Sequence, residues 1–327
     1  MRADKVSLRG RLVRDMIKNT MDSAMGRRIQ TGELRKNPVE PAWICPPDYD
    51  YEIVELENFT MEYLRPLQVN TGRVVLQLHG GGYIGPMKNI YRDFAVCYSK
   101  QSMGGDVLTI DYRVAPEYPY PAALMDALAA YQWLLEEKKY APEKIVIAGD
   151  SAGGGLALAL AMYLRDHNLK MPAGLVLMSP WTDLTCSGES HETNFHRDPQ
   201  FGNTTDNLLH NSVYIGEADP KNPYLSPMFG EYWGMPPVLM QVGSEEVLLS
   251  DTLVVADKLR AVKSKRRVSV YDGMFHVFQM ALRLIPESRE AWEEVGAFLQ
   301  ILYGIRWKPE GKVVKRVKSG RKQRLTE

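Results

Sequence analysis

Cysteine is scarce in this chain: Cys45, Cys97 and Cys186 are the only three among 327 residues. Three widely separated thiols are too few for a disulfide framework and lack the close pairs of a structural zinc site, so three free thiols are expected. Net charge is missing too. The 40 basic and 40 acidic residues cancel, which removes overall charge as a reason to invoke nucleic acid or an anionic membrane as partner. No run of about 18 apolar residues occurs. The N-terminal stretch MRADKVSLRGRLVRDMIK interleaves charged with apolar residues, where a secretory signal would need an uninterrupted apolar core. None of the six histidines pairs with another at the spacing of a helical zinc motif, so neither a metal nor a cofactor is expected. These absences together predict a soluble cytoplasmic protein without membrane insertion and leave homo-oligomerisation open.

The charge balance does not hold locally. Residues 308–327 carry eight Lys/Arg against two Asp/Glu, and a run this polar reads as a solvated, disordered tail covering 306–327. At the other end, Val13, Met16, Ile17, Thr20, Met21 and Met25 recur every three to four residues, which predicts an amphipathic helix stopping near Gly26, within a helical cap segment of residues 1–45. The body, 46–305, has a different texture. Two amphipathic strands, Tyr51–Glu57 and Phe59–Arg65, precede short apolar runs at Val74–Leu78, Val107–Ile110, Ile145–Ala148, Leu175–Met178, Val238–Val242 and Val268–Tyr271. Such runs read as strands buried on both faces. Helical segments at 92–103, 122–137, 154–165, 249–262 and 287–302 separate most of them, so the class is α/β, a mostly parallel sheet with helices on both sides. One connection, 184–224, is polar and sits between two strands as a cap insertion.

Gly149, Asp150, Ser151, Ala152 and Gly153 form G-x-S-x-G. The pattern alone is common by chance, but here KIVIAGD reads as a strand and GGGLALALAMYLRD as a helix. The serine therefore falls on a sharp strand-to-helix turn that exposes its hydroxyl. A serine hydroxyl is a weak nucleophile at neutral pH and needs a base, while acyl transfer needs donors for the developing oxyanion. His79-Gly80-Gly81-Gly82 follows a strand directly and offers uncrowded peptide N–H groups, with His79 as loop anchor. His276 lies in a late loop after RVSVYDG, in agreement with a serine, acid, histidine order. His191, His196 and His210 in the insertion, and His167 after a helix, read as solvated or locally bonded. Three carboxylates could orient His276: Glu245, Glu246 and Asp251, the last explained equally well as a helix-start residue.

HGGGY at 79–83, DYRVAPEYPYPAAL at 111–124, GDSAGG at 149–154, SPWTDLT at 179–185 and YDGMFHVF at 271–278 resemble the hormone-sensitive-lipase branch of the α/β-hydrolases, over roughly 73–284. The resemblance implies an eight-stranded, mostly parallel α/β-hydrolase fold with a small helical cap. It implies a serine carboxylesterase acting on a small-molecule, short-chain ester through an acyl-enzyme, without cofactor. It assigns Ser151 and His276 to catalysis, Glu246 to the triad acid, and the N–H groups of Gly81, Gly82 and Ala152 to the oxyanion hole. Tyr83, Trp181 and Phe275, aromatic and adjacent to the motifs, are candidates for the wall of the substrate pocket, with ordinary core packing as the favoured alternative. The same fold also serves amidases and peptidases. Some plant hormone receptors resemble this branch as well, but they lose the triad chemistry that Ser151 and His276 retain here.

Overall fold

Alternating strands and helices wind into one sheet in the computed structural model, which describes residues 6–21 and 40–305. The basic tail and Met25 lie outside the described residues. Strands β1 (Tyr49–Glu55), β2 (Thr60–Pro66), β3 (Val74–Leu78), β4 (Asp106–Asp111), β5 (Ile145–Asp150), β6 (Gly174–Met178), β7 (Val238–Gly243) and β8 (Arg266–Tyr271) order as β1-β2-β4-β3-β5-β6-β7-β8. β1 and β2 join antiparallel at one edge, and β4 through β8 run parallel. Every residue of β3, β5, β6 and β7 is buried. β8 departs from the two-faced burial expected of its apolar run, with Val270 exposed, because it is the edge strand and has one neighbour rather than two.

The pleat sends successive side chains to opposite faces. Val74, Leu76, Ile145 and Ile147 meet helices α3 (Ala122–Glu136), α4 (Ala152–Asp166) and α6 (Leu249–Ala261) on one side. Val75, Val146 and Ala148 meet Phe94, Tyr98, Trp292 and Phe298 of α2 (Asn89–Gln101) and α7 (Pro286–Leu302) on the other. Each Val, Leu, Ile or Phe side chain taken fully from water contributes about 1.5–3 kcal/mol, so both faces of the sheet are committed to the core. The sheet thereby becomes a rigid base for the loops at its C-terminal end.

Helix α1 (Leu8–Met21) begins at Ser7, whose Oγ accepts the Gly10 N–H at 2.9 Å. Ser7 itself is tied to α7, its N–H and hydroxyl donating to the two carboxylate oxygens of Glu287 at 2.7 and 2.9 Å. Val13 and Ile17 pack on Met274, Phe275 and Phe278, so α1 backs the loop that carries His276. The insertion between β6 and β7 is mostly turns. Its one regular α-helix among the described residues is α5, Ser190–Thr193. No helix among the described residues is long and apolar enough to cross a membrane.

Candidate active site

β5 ends at Asp150 and α4 starts at Ala152, so Ser151 makes the whole strand-to-helix turn. Its φ of 53° and ψ of −122° lie where a residue with a Cβ is strained. Glycine on both sides makes the turn possible. A Cβ on Gly149 would stand 2.2 Å from the Gly153 carbonyl oxygen, and one on Gly153 would stand 2.1 Å from that of Leu78. Neighbouring backbone holds the strain: the Ser151 N–H donates to Met178 O at 2.9 Å, and the Trp181 N–H donates to Ser151 O at 2.9 Å.

His276 follows β8, in a loop against the end of β7. Its Nε2 is 2.9 Å from Ser151 Oγ, and its Nδ1 is 2.9 Å from Glu246 Oε2. A carboxylate on Nδ1 keeps the proton there and leaves Nε2 to accept from the hydroxyl. The other carboxylate oxygen of Glu246, Oε1, accepts from Ser179 Oγ at 2.7 Å and from the Gly243 N–H at 2.5 Å. Burial by itself would lower the His276 pKa. The hydrogen bond and charge of Glu246, with the charges of Asp198 and Asp150, outweigh burial and hold it above the ordinary imidazole value. The other two carboxylates point elsewhere. Glu245 pairs with Arg197 at 2.5 and 3.0 Å. Asp251 sits in the first turn of α6 as expected, yet its Oδ2 caps nothing in that helix and instead accepts the Thr182 and Asp183 N–H groups at 2.6 and 2.9 Å.

The loop after β3 runs beside Ser151. Gly81 at φ 112° and Gly82 at φ 64° adopt backbone that glycine accepts without cost. The N–H groups of Gly81, Gly82 and Ala152 have no protein acceptor among the described residues. His79 in this loop is fully buried: its Nδ1 lies 2.6 Å from Gly80 O, and its ring stacks on Tyr112 at 4.2 Å. Burial lowers its pKa against the pull of Asp111, which keeps the ring neutral. Asp150 contributes from the other side, accepting the Gly80 N–H at 3.2 Å. Burial pushes its carboxyl up to about 7, opposed by nearby His276 and by hydrogen bonds.

Residues 75–280 match the family model for the α/β-hydrolase fold. The chain belongs to this family. It is 38% identical over 253 residues to an acetyl-hydrolase of Streptomyces hygroscopicus, covering 77% of this chain and 83% of that protein. A crystal structure of an esterase from the bacterial hormone-sensitive lipase family superimposes with a TM-score of 0.78 at 32% identity, covering 91% of this chain and 99% of that one. An esterase crystal soaked with p-nitrophenyl butyrate gives 0.81 at 33% identity, with the same 91% and 99% coverage. The chain is a carboxylic ester hydrolase of the branch that includes hormone-sensitive lipase.

The three aromatic residues named as pocket candidates in this hydrolase are buried. Tyr83 stacks on Tyr214 at 3.9 Å, Trp181 is fully buried with Nε1 donating to Asp183 O at 3.0 Å, and Phe275 lies under α1. Two side chains of the 184–224 insertion also reach the site. Phe201 sets its ring 5.1 Å from that of His276, and Leu208 fills the space a Cβ on Gly82 would need, at 2.7 Å. The insertion also braces the loop of Glu246. Asn194 Nδ2 donates to Ser244 O and Glu246 O at 3.0 and 2.7 Å, and Asp198 Oδ2 accepts the Val247 N–H at 2.8 Å.

Sequence reasoning missed Phe201, Leu208, Asn194 and Asp198, since nothing in a polar stretch marks which residues turn inward. Ser179 was legible in principle, because it opens the SPWTDLT motif just after β6. Its Oγ links Glu246 to the Val277 N–H, which it accepts at 3.1 Å. Of the remaining histidines, His167, His196 and His210 are locally bonded as expected, to Tyr163 O, Asn203 and Asn207. His191 departs from that expectation and is buried, with Nε2 paired to Asp251 Oδ1 at 3.8 Å; against the effect of burial, Asp251 and Cys186 push its pKa up to about 10.

Proposed function

We propose that the esterase cleaves short-chain carboxylic esters by a Ser151-His276-Glu246 triad through an acyl-enzyme. The observation that carries this reading is the continuous run of contacts from Ser151 Oγ to His276 Nε2 and from Nδ1 to Glu246, 2.9 Å each, beside the free N–H groups of Gly81, Gly82 and Ala152. In the first half-reaction His276 takes the Ser151 proton as Oγ attacks the ester carbonyl, and the oxyanion that forms accepts from the three N–H groups. The imidazolium then gives its proton to the departing alcohol. Water activated by the same imidazole attacks the acyl-enzyme, releases the acid and returns the proton to Ser151. Esters are favoured over amides because an alkoxide is expelled more easily than an amine anion. Phe201 against His276 and Leu208 against Gly82 narrow the site, which supports a short acyl group, as does the likeness to an esterase crystal soaked with a butyrate ester.

Two measurements test the reading. Across p-nitrophenyl esters, kcat/KM should peak at about two to six acyl carbons and fall steeply beyond, because a site fitted to a short chain rejects added methylenes. Efficient hydrolysis of olive-oil emulsions, or faster cleavage of p-nitroanilides than of the matching esters, would contradict it. The second measurement is the pH profile of kcat/KM. A protonated His276 accepts no proton, so activity is lost as pH falls through its pKa. Because Glu246, Asp198 and Asp150 hold that pKa above the ordinary value, the acid limb should have its midpoint above about pH 6.5. A midpoint well below that value would mean that the imidazole lacks its carboxylate support.

A further inference from the structure

Outside the triad, the insertion gathers three groups that ligate soft metal ions. Cys186 Sγ, a nitrogen of His191 and a nitrogen of His210 all lie within 4.8 Å of one another. Donors sharing one tetrahedral zinc at about 2.0–2.3 Å stand roughly 3.5 Å apart, so a bound ion would draw the three together. His191 is 7% exposed, and neither of its ring nitrogens lies within ordinary hydrogen-bond distance of a partner among the described residues. Its Nε2 pairs at 3.8 Å with Asp251 Oδ1, which is itself buried. A carboxylate behind a ligating imidazole is the usual support of a metal-bound histidine. His210 is backed in the same way, with Nδ1 at 3.1 Å from Asn207 Oδ1, which leaves its Nε2 for an ion. The three donors line a cavity of about 430 Å³ together with Glu192, Phe195 and His196.

We propose that Cys186, His191 and His210 form a zinc-class metal site in the insertion, supported by Asp251 and Asn207. One thiolate and two imidazoles suit a borderline-soft cation, and three protein ligands leave a fourth position open to the cavity. Binding releases to solvent the Cys186 thiol proton and the imidazolium proton that Asp251 favours on His191, as the Sγ–metal and N–metal bonds form. The ligands also bracket the stretch that carries Asn194, Asp198, Phe201 and Leu208. An ion at this point therefore ties together both ends of the segment that braces the Glu246 loop and packs on His276 and Gly82.

The test is metal binding to the full chain, stripped with a chelator and titrated with Zn²⁺ by calorimetry and with Co²⁺ by absorbance. One ion per chain, a thiolate-to-Co²⁺ charge-transfer band and a melting temperature that rises with Zn²⁺ concentration are expected. The band should vanish in Cys186→Ser and persist in Cys45→Ser and Cys97→Ser, and His210→Ala should weaken Zn²⁺ binding by about 10–100-fold. His210 is the exposed ligand, so its variant keeps the test decisive if Cys186→Ser folds poorly. Absence of the band in the unaltered protein, its survival in Cys186→Ser, or unchanged affinity in His210→Ala overturns the site. None of these readouts involves ester turnover, so they stand or fall independently of the triad.

Discussion

Ser151→Ala and His276→Ala should each lower kcat on p-nitrophenyl acetate by on the order of 10⁴–10⁶, and the double variant should lose little more than either. The hydroxyl and the imidazole act as one unit: without the base the hydroxyl is not activated, and without the hydroxyl the base has no bound nucleophile to serve. The 2.9 Å contact between Oγ and Nε2 is the structural basis. Ser151→Ala removes one atom from a turn held by Met178 O and the Trp181 N–H, so its melting temperature should match that of the unaltered protein. Losses that multiply in the double variant would mean that the two side chains work independently, and the triad reading would fail.

Glu246→Gln should cost about 10³–10⁴ in kcat by analogy with amide replacement of a triad carboxylate. The amide can present its N–H₂ toward Nδ1, favouring the tautomer with the proton on Nε2, which can no longer accept from Ser151. Loss of the Glu246 charge also removes the leading influences that raise the His276 pKa, so residual activity should show its acid limb moved to lower pH. Glu245→Gln and Asp251→Asn should stay within about tenfold. Glu245 forms a half-exposed pair with Arg197, worth ~0–1 kcal/mol. Asp251 holds backbone at Thr182 and Asp183, and an asparagine oxygen can still accept those N–H groups. A larger loss in either of these variants than in Glu246→Gln would reassign the acid.

The division between what was legible in the sequence and what was not follows the range of the forces involved. Strand and helix alternation was readable because burial on both faces of a parallel sheet demands continuous apolar runs such as VVLQL and VLMQV. The Ser151 turn was readable because its strain is relieved within five residues, by Gly149 and Gly153, and the open loop after β3 because three successive glycines answer a local need for bare backbone. Those features, with the chain order of Ser151 and His276, come from sequence alone. The choice among Glu245, Glu246 and Asp251 required motif resemblance, since all three stand within one loop and helix start, and only loop packing aims one of them at His276. Asn194, Asp198, Phe201 and Leu208, the meeting of Cys186 with His191 and His210, and the docking of α1 beneath the His276 loop were decided by tertiary structure. These side chains come from segments whose contacts are irregular and span up to hundreds of residues. Neither helical nor strand periodicity records where such loops fold over the end of the sheet.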